Sequence, residues 1–278
     1  MTPTGKMKTI IFLNNKGGVG KTSSVTALTH IIAEKFDRKV LCIDLDPQMN
    51  TTSMYGEVDF IELFLKTYKR QSTKTKYSVE DLLLDRKLDI YKCIQKTKYK
   101  NLDFIPSYLT LAEAEERLKA DVSIPQQFRL KNHLEKVQND YDYCIIDCSP
   151  SISILNINAL VAGNEVYIPM RCDGGSLLGV AITMNLVETV MEYNPFLKMG
   201  GMFFTQWNER KNVSKTVYAL MKDVFGDLIL PYKISSSKNI EEGSLSQSPL
   251  LEYDTKCSKV TTEYIQLAEF ILHGKVNN

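Results

Sequence analysis

The chain has little that would tie it to a metal centre, a membrane or secretion. Its three histidines, His30, His133 and His273, are isolated from one another. Its six cysteines (42, 93, 144, 148, 172 and 257) are scattered, and no second pair at zinc spacing accompanies Cys144 and Cys148, which argues against a structural metal. Cys42 and Cys144 sit inside apolar runs and read as buried thiols of a reducing cytosol. A charge excess is missing too. With 34 basic and 33 acidic residues the net charge is +1, so any hold on nucleic acid or membrane has to come from a local patch. No apolar run approaches the ~20 residues of a membrane span, and Met1-Thr-Pro-Thr-Gly-Lys6 lacks the apolar core of a signal peptide. Internal repeats, low-complexity linkers and domain breaks are also lacking. The expectation is a soluble cytoplasmic protein without a membrane partner.

What is there is a core. At 278 residues, 44% hydrophobic and 24% charged, the chain can fold as one large α/β domain over 1–278. Its most informative stretch is Lys8-Thr-Ile-Ile-Phe-Leu-Asn-Asn-Lys-Gly-Gly-Val-Gly-Lys-Thr22, an apolar strand leading through glycines into a helix. Glycines at 17, 18 and 20 let the backbone approach a polyphosphate, and the N–H groups from Gly17 through Val19 to Ser23 point positive charge at it. Lys21 adds a full charge and Thr22 a hydroxyl suited to Mg²⁺. A strict phosphate loop begins with glycine; Asn15 stands there instead, followed by a second lysine, Lys16.

The run 21–36 carries apolar Val25, Leu28, Ile31, Ile32 and Phe36 at helical spacing, and Lys39-Val-Leu-Cys-Ile-Asp44 is a second strand. Strand, helix, strand predicts a parallel sheet with right-handed crossovers, doubly wound and flanked by helices. Asp44 and Asp46 then lie at the carboxyl edge, where open α/β sheets bind ligands. Tyr143-Cys-Ile-Ile-Asp147 is a buried strand that brings a third carboxylate, the best candidate for the Mg²⁺ of a bound triphosphate. Asp44 and Asp46 are both candidates to ligate metal or activate water, and their spacing does not separate these roles. Lys16 points away from its own cradle. It is either a surface lysine or a group that stabilises phosphate charge across a dimer. Further on, the pattern predicts a helix over 58–69, a helix opened by Ser78, helices over 109–120, 126–139, 176–193 and 213–225, and a last strand over 228–231. The basic stretch 66–76 reads as a solvated loop, with a nucleic-acid contact as the alternative.

Lys16-Gly-Gly-Val-Gly-Lys-Thr22, Asp44-Leu-Asp-Pro-Gln48 and Tyr141-Asp-Tyr-Cys-Ile-Ile-Asp-Cys-Ser-Pro150 resemble the deviant-Walker P-loop ATPases, and within them the ParA-type partition ATPases. The likeness spans about residues 8–272 and is weakest over 57–100. It implies an ATP- and Mg²⁺-dependent homodimer in which Lys16 reaches the partner's nucleotide, Lys21 and Thr22 hold phosphate and metal, and Asp46 activates water. It implies that Pro231 lies against the base, although the asparagine usual two positions on is Lys233. It further implies non-specific DNA binding through Arg210 and, at a position usually held by arginine, Lys238, with hydrolysis stimulated by a centromere-bound ParB-type partner on the nucleoid. With the first strand starting near residue 8, no N-terminal helix-turn-helix domain is expected. A MinD-type membrane-cycling ATPase is the alternative, disfavoured because the terminal segment 264–278 reads as a helix packed on the sheet. A metabolic enzyme with a bridging iron–sulfur cluster is disfavoured because no cysteines stand in cluster motifs.

Overall fold

The computed structural model describes residues 6–56, 58–122 and 125–274. The readings that fall on the first five residues and beyond Gly274 lie outside these. In chain order the elements are β1 (Lys8–Phe12), α1 (Lys21–Glu34), β2 (Val40–Leu45), α2 (Asn50–Tyr55), α3 (Phe60–Tyr68), α4 (Val79–Leu84), β3 (Gln95–Lys96), β4 (Leu102–Ile105), α5 (Leu111–Ala120) and α6 (Arg129–Leu134). There follow β5 (Tyr143–Cys148), α7 (Ile154–Ala162), β6 (Glu165–Met170), α8 (Gly174–Met191), β7 (Lys198–Trp207), α9 (Asn212–Phe225), β8 (Ile229–Ser235), α10 (Lys238–Leu245), α11 (Leu250–Tyr253) and α12 (Lys259–His273).

The eight strands form one sheet in the order β3-β4-β2-β5-β1-β6-β7-β8. Every pairing is parallel except β3 with β4. β2 and β5 are buried at all six positions, because helices cover both faces of the sheet and a strand in that position has no polar side to show. On one face α1 and α12 pack Val25, Leu28, Tyr264 and Leu267 onto Ile10 and Phe12 of β1. On the other, α4 to α8 cover Ile11, Ile43 and Ile146. α9 closes a smaller apolar cluster around Phe204 and Trp207. The fold class read from the sequence is the one observed. β1 lies between β5 and β6, so the chain leaves it to build one half of the sheet and returns on its far side to build the other. That reversal opens a crevice at the carboxyl end of β1.

Several boundaries differ from expectation. The last strand does not stop at Pro231 but continues to Ser235, because β8 is an edge strand where Pro231 is exposed and no ladder donor is required of it. The helix expected over 126–139 is instead α6 flanked by two single 3₁₀ turns, 126–128 and 135–137. α2 and α10 carried no readable signal. α2 starts from Met49 in a left-handed conformation with no side-chain cap, and α10 has Gly243 in its interior. Ser78 does open α4, with Asp81 completing a capping box. α8 corrects the expectation that no apolar run nears spanning length: at 18 residues and mean hydropathy 1.3 it is long and apolar enough by length and composition alone. Its Gly179, Val180, Thr183, Val187 and Val190 are nevertheless buried within the domain.

Two histidines are core residues, His30 on α1 and His133 on α6. Burial is the main cause that holds both imidazoles below their ordinary value. Such a group binds fewer protons folded than unfolded. Its contribution to stability is therefore complete above about pH 6.5 and is lost as pH falls below that. His133→Leu is expected to flatten the decline of the unfolding free energy between pH 7 and pH 5, by up to about 1.4 kcal/mol per pH unit. An unchanged slope in paired urea titrations would refute this role for His133.

Candidate active site

The loop from β1 to α1 is shaped by two glycines in left-handed conformation, Gly18 at φ 71° and Gly20 at φ 79°. Gly20 caps α1 without a side chain and no acid stands in the first turn, so the helix N-terminus keeps its donors and positive end for an anion. Lys21 is 6% exposed, and its Nζ donates to the carbonyls of Asn14 (3.1 Å) and Lys16 (3.0 Å) across the loop. Burial lowers its pKa, opposed by the nearby carboxylates of Asp147 and Asp46. β7 props the loop from behind. Thr205 Oγ1 donates to the carbonyl of Val19 (2.8 Å) and Gln206 Nε2 to that of Gly18 (3.2 Å).

Asp44 of β2 and Asp147 of β5 are register partners across the sheet. Both are fully buried and both carboxyls are raised, first by burial; proximity to Asp147 adds to Asp44, and that of Asp46 to Asp147. Their hydrogen bonds divide their work. Asp44 Oδ1 accepts from the Asp46 N–H (3.1 Å), and Oδ2 accepts from both the N–H and the hydroxyl of Thr52 (2.7 Å each). Both oxygens are thus engaged in holding the start of α2. Asp147 Oδ2 accepts from Thr51 Oγ1 (2.8 Å), whereas Oδ1 is buried without a partner. An orphaned carboxylate oxygen beside the Thr22 hydroxyl is a donor set that fits Mg²⁺. Among the described residues no group of three or more His, Cys, Asp or Glu could hold a metal by itself, which suits an ion bound largely through phosphate oxygens and water.

Asp46, 7% exposed, follows β2. Its Oδ1 accepts from the Gln48 N–H (2.9 Å), its carbonyl accepts from Ser107 Oγ (2.7 Å), and its other carboxylate oxygen makes no hydrogen bond among the described residues. It is held in place, close to Lys21, with one oxygen uncommitted.

Lys16 leaves the cradle as expected, but finds a target in its own chain. Its Nζ pairs with Oδ1 of Asp173, the residue that caps α8 by accepting from the Ser176 N–H (2.9 Å). Burial raises the Asp173 carboxyl, but Lys16, the Ser176 N–H and Arg171 outweigh it and hold it below the usual value. Both partners of the pair remain about one-third exposed, at 32% and 35%. Gly179 permits this close approach of α8, since a Cβ there would lie 2.6 Å from Asn14 Oδ1.

Two cavities flank the start of α1. One of about 310 Å³ is lined by Gly20, Ser23, Gln206, Ser235, Ser237 and Ile240. Another of about 210 Å³ is lined by Thr22, Thr26, Asn50 and Asn239, among others. Pro231 lines neither. It stands four residues before Ser235, about 13 Å back along β8, because the strand runs on past it. Lys233 is likewise turned away, its ammonium 3.8 Å from the centroid of the Tyr218 ring and 4.5 Å from that of Trp207. Arg210 and Lys238 are both exposed, in the turn after β7 and at the start of α10 after β8, so neighbouring parallel strands bring them to one edge of the molecule. Sequence reasoning missed Thr51, Thr52, Ser107 and Asp173. Only Asp173 carried a signal, as an acid before Gly174-Gly175-Ser176 at a helix start.

A family model described as an AAA domain matches residues 7–199. The sporulation initiation inhibitor protein Soj of Bacillus subtilis is 34% identical over 263 residues, covering 94% of this chain and 97% of that protein. The chromosome-partitioning ATPase Soj of Treponema pallidum is 32% identical over 266 residues, covering 95% and 97%. Among solved structures, a putative plasmid partition protein of Borrelia burgdorferi bound to AMPPNP has a TM-score of 0.74 at 28% identity, covering 96% of this chain and 98% of that one. Cobyrinic acid a,c-diamide synthase of Mycobacterium smegmatis with an ATP analogue and magnesium has a TM-score of 0.77 at 25% identity, covering 97% of each.

Proposed function

Because this chain belongs to the ParA-type P-loop ATPases, the family of Soj and its partitioning relatives, we propose that it is a DNA-partition ATPase whose ATP-bound homodimer holds DNA and releases it on hydrolysis. The observation that carries this reading is the second lysine. Lys21 is buried in the cradle and suffices to bind phosphate, whereas Lys16 lies outside it, partly exposed, with its charge balanced by Asp173. A second protomer facing the first would give that ammonium a phosphate to meet, and ATP is then both ligand and bridge.

Mg²⁺, where bound, would be held by the Thr22 hydroxyl and Asp147 and would neutralise charge on the β- and γ-phosphate oxygens. The chain's own residues do the rest. The N–H groups of the loop from Gly17 to Ser23 bind the phosphates, and Lys21 holds their charge in a site where burial strengthens the attraction. Asp46 orients a water with its uncommitted oxygen and accepts its proton. Asp44 keeps α2, and with it Thr51 and the Asp147 carboxyl, in register. Ser235 to Ser237 and Ile240, rather than Pro231, border the space beside the loop that the nucleoside would enter.

The edge carrying Arg210 and Lys238 is the DNA-binding face, and a centromere-bound ParB-type protein stimulates hydrolysis and release. The test is DNA binding with ATP, with ADP and without nucleotide, at two salt concentrations. Binding should require ATP and fall steeply with salt. Equal retention with ATP and ADP, or no salt dependence, would sink the proposal. Arg210→Ala is expected to weaken binding to all DNA sequences alike and to leave basal ATPase intact, read by filter binding and phosphate release. Loss of both activities together would make Arg210 a structural residue.

A further inference from the structure

β7 carries one residue more than the strand beside it. Phe204 pairs with Lys233 and Trp207 with Ser235, so Thr205 and Gln206 stand opposite Ile234 alone. The bulge centres on Gln206, an exposed residue in a left-handed conformation at φ 49°. Glutamine gains nothing from that backbone, which lasts only where its surroundings hold it. What the bulge achieves is aim. In a straight strand the side chains of Thr205 and Gln206 would point to opposite faces of the sheet. Here both reach the phosphate loop, Thr205 Oγ1 donating to the Val19 carbonyl and Gln206 Nε2 to that of Gly18.

Beyond the bulge the chain has little slack as far as Arg210. The Trp207 indole is 6% exposed and meets Tyr218 of α9 edge-on, ring centroids 6.0 Å apart, with the Lys233 ammonium 4.5 Å from its own centroid. Asn208 closes a tight turn, its Oδ1 accepting from the Arg210 N–H (3.0 Å) and its carbonyl from the Lys211 N–H (3.2 Å). Glu209 pairs with Lys259 of α12 (3.3 Å). At the other end, the carbonyls of Gly18 and Val19 share their peptide units with the N–H groups of Val19 and Gly20. A phosphate that accepts from those N–H groups polarises the units and makes their carbonyls stronger acceptors. The Gln206 bond has the more room to respond, being longer than the Thr205 bond, 3.2 against 2.8 Å, and exposed to water where the other is buried.

We infer that Gln206 is a positioning residue through which phosphate in the loop sets the pose of the 207–211 turn, a role that rests on the DNA-partition reading for what Arg210 then holds. With the loop empty, the Gln206 amide competes with water for the Gly18 carbonyl. With the loop filled, the amide is drawn in and the bulge is fixed. Linkage makes the effect mutual, so DNA that selects the same pose tightens the hold on nucleotide. The nucleotide-bridged pair presents two such turns to one DNA, so the pose prepares binding and the dimer completes it.

Trp207 is the single tryptophan of the chain and follows Gln206 directly, so its fluorescence reads the bulge. The test compares wild type, Gln206→Met and Gln206→Gly, each folded by circular dichroism and saturated with Mg-ADP by calorimetry. ADP fills the loop without a γ-phosphate for a second chain to meet. Methionine keeps the length and the backbone strain without the donor, and glycine relieves the strain without the donor, so an effect shared by both belongs to the amide. Saturation should shift the emission of wild type, and both variants should lose most of that shift. With AMPPNP both should bind DNA about five- to tenfold more weakly than wild type. That loss should shrink to under about twofold where Arg210→Ala is already present. No emission change in saturated wild type, an undiminished change in either variant, or a Gln206 loss that adds in full to that of Arg210→Ala would each overturn the inference. An emission change that wild type shows and the variants lose, in a protein that holds no DNA with any nucleotide, would leave Gln206 its hold on the turn and remove the DNA-partition reading instead.

Discussion

Asp46→Ala is expected to bind ATP and to dimerise with it, yet to hydrolyse it about 10²–10⁴-fold more slowly, the usual worth of a positioned acid–base group. The reason lies in how its two neighbours are employed. Asp147 leaves one buried oxygen for the metal, and Asp44 has spent both of its oxygens on Asp46 and Thr52. Only Asp46 is fixed by its backbone while keeping a carboxylate oxygen uncommitted. Asp44→Ala should behave differently. It strands the Thr52 N–H and hydroxyl in the core, so it should lower the melting temperature as well as activity, by about 1–3 kcal/mol of stability for each polar group left unpaired. Single-turnover phosphate release paired with thermal melts separates the two. If Asp46→Ala hydrolysed ATP at the wild-type rate, the assignment of the water-activating group would be wrong.

Lys21→Ala should lose nucleotide affinity by about 100-fold or more, ~2.7 kcal/mol, because the ammonium that would meet the phosphate charge disappears from a buried site. Lys16→Ala should keep its affinity and fail to dimerise with ATP. Calorimetry reads the first and size-exclusion chromatography with and without ATP the second. ATP-driven dimerisation of Lys16→Ala equal to wild type would remove the trans role. The contrast rests on location: Lys21 bridges its own loop, and the Lys16 ammonium leans on the first turn of α8, where Asp173 is its one ion-pair partner among the described residues.

The cradle was legible because its chemistry is local. Glycine at 18 and 20 meets a backbone that has to take positive φ, and a strand and a helix on either side fix where the loop must lie. The carboxylates at the ends of β2 and β5 were legible for the same reason. Their division of labour was not, since Asp44 and Asp46 are told apart by Thr52 and Ser107, which reach them only through the fold. Asp173 stands 157 residues from Lys16, and nothing near either residue announces the pair. The end of the last strand was misread at Pro231, because proline at the edge of a sheet need not halt a strand. Within the stretch 57–100, the hardest to read, α3 directs its apolar residues outward, so its pattern gives the period of the helix but not what it faces.

The two margins of the sheet impose one more consequence. β3 offers only two residues to a would-be neighbour, and β8 exposes Pro231, which has no N–H to give. Both borders are blunted against pairing with another strand. Crowded copies of the chain are thereby guarded against merging one sheet with the next.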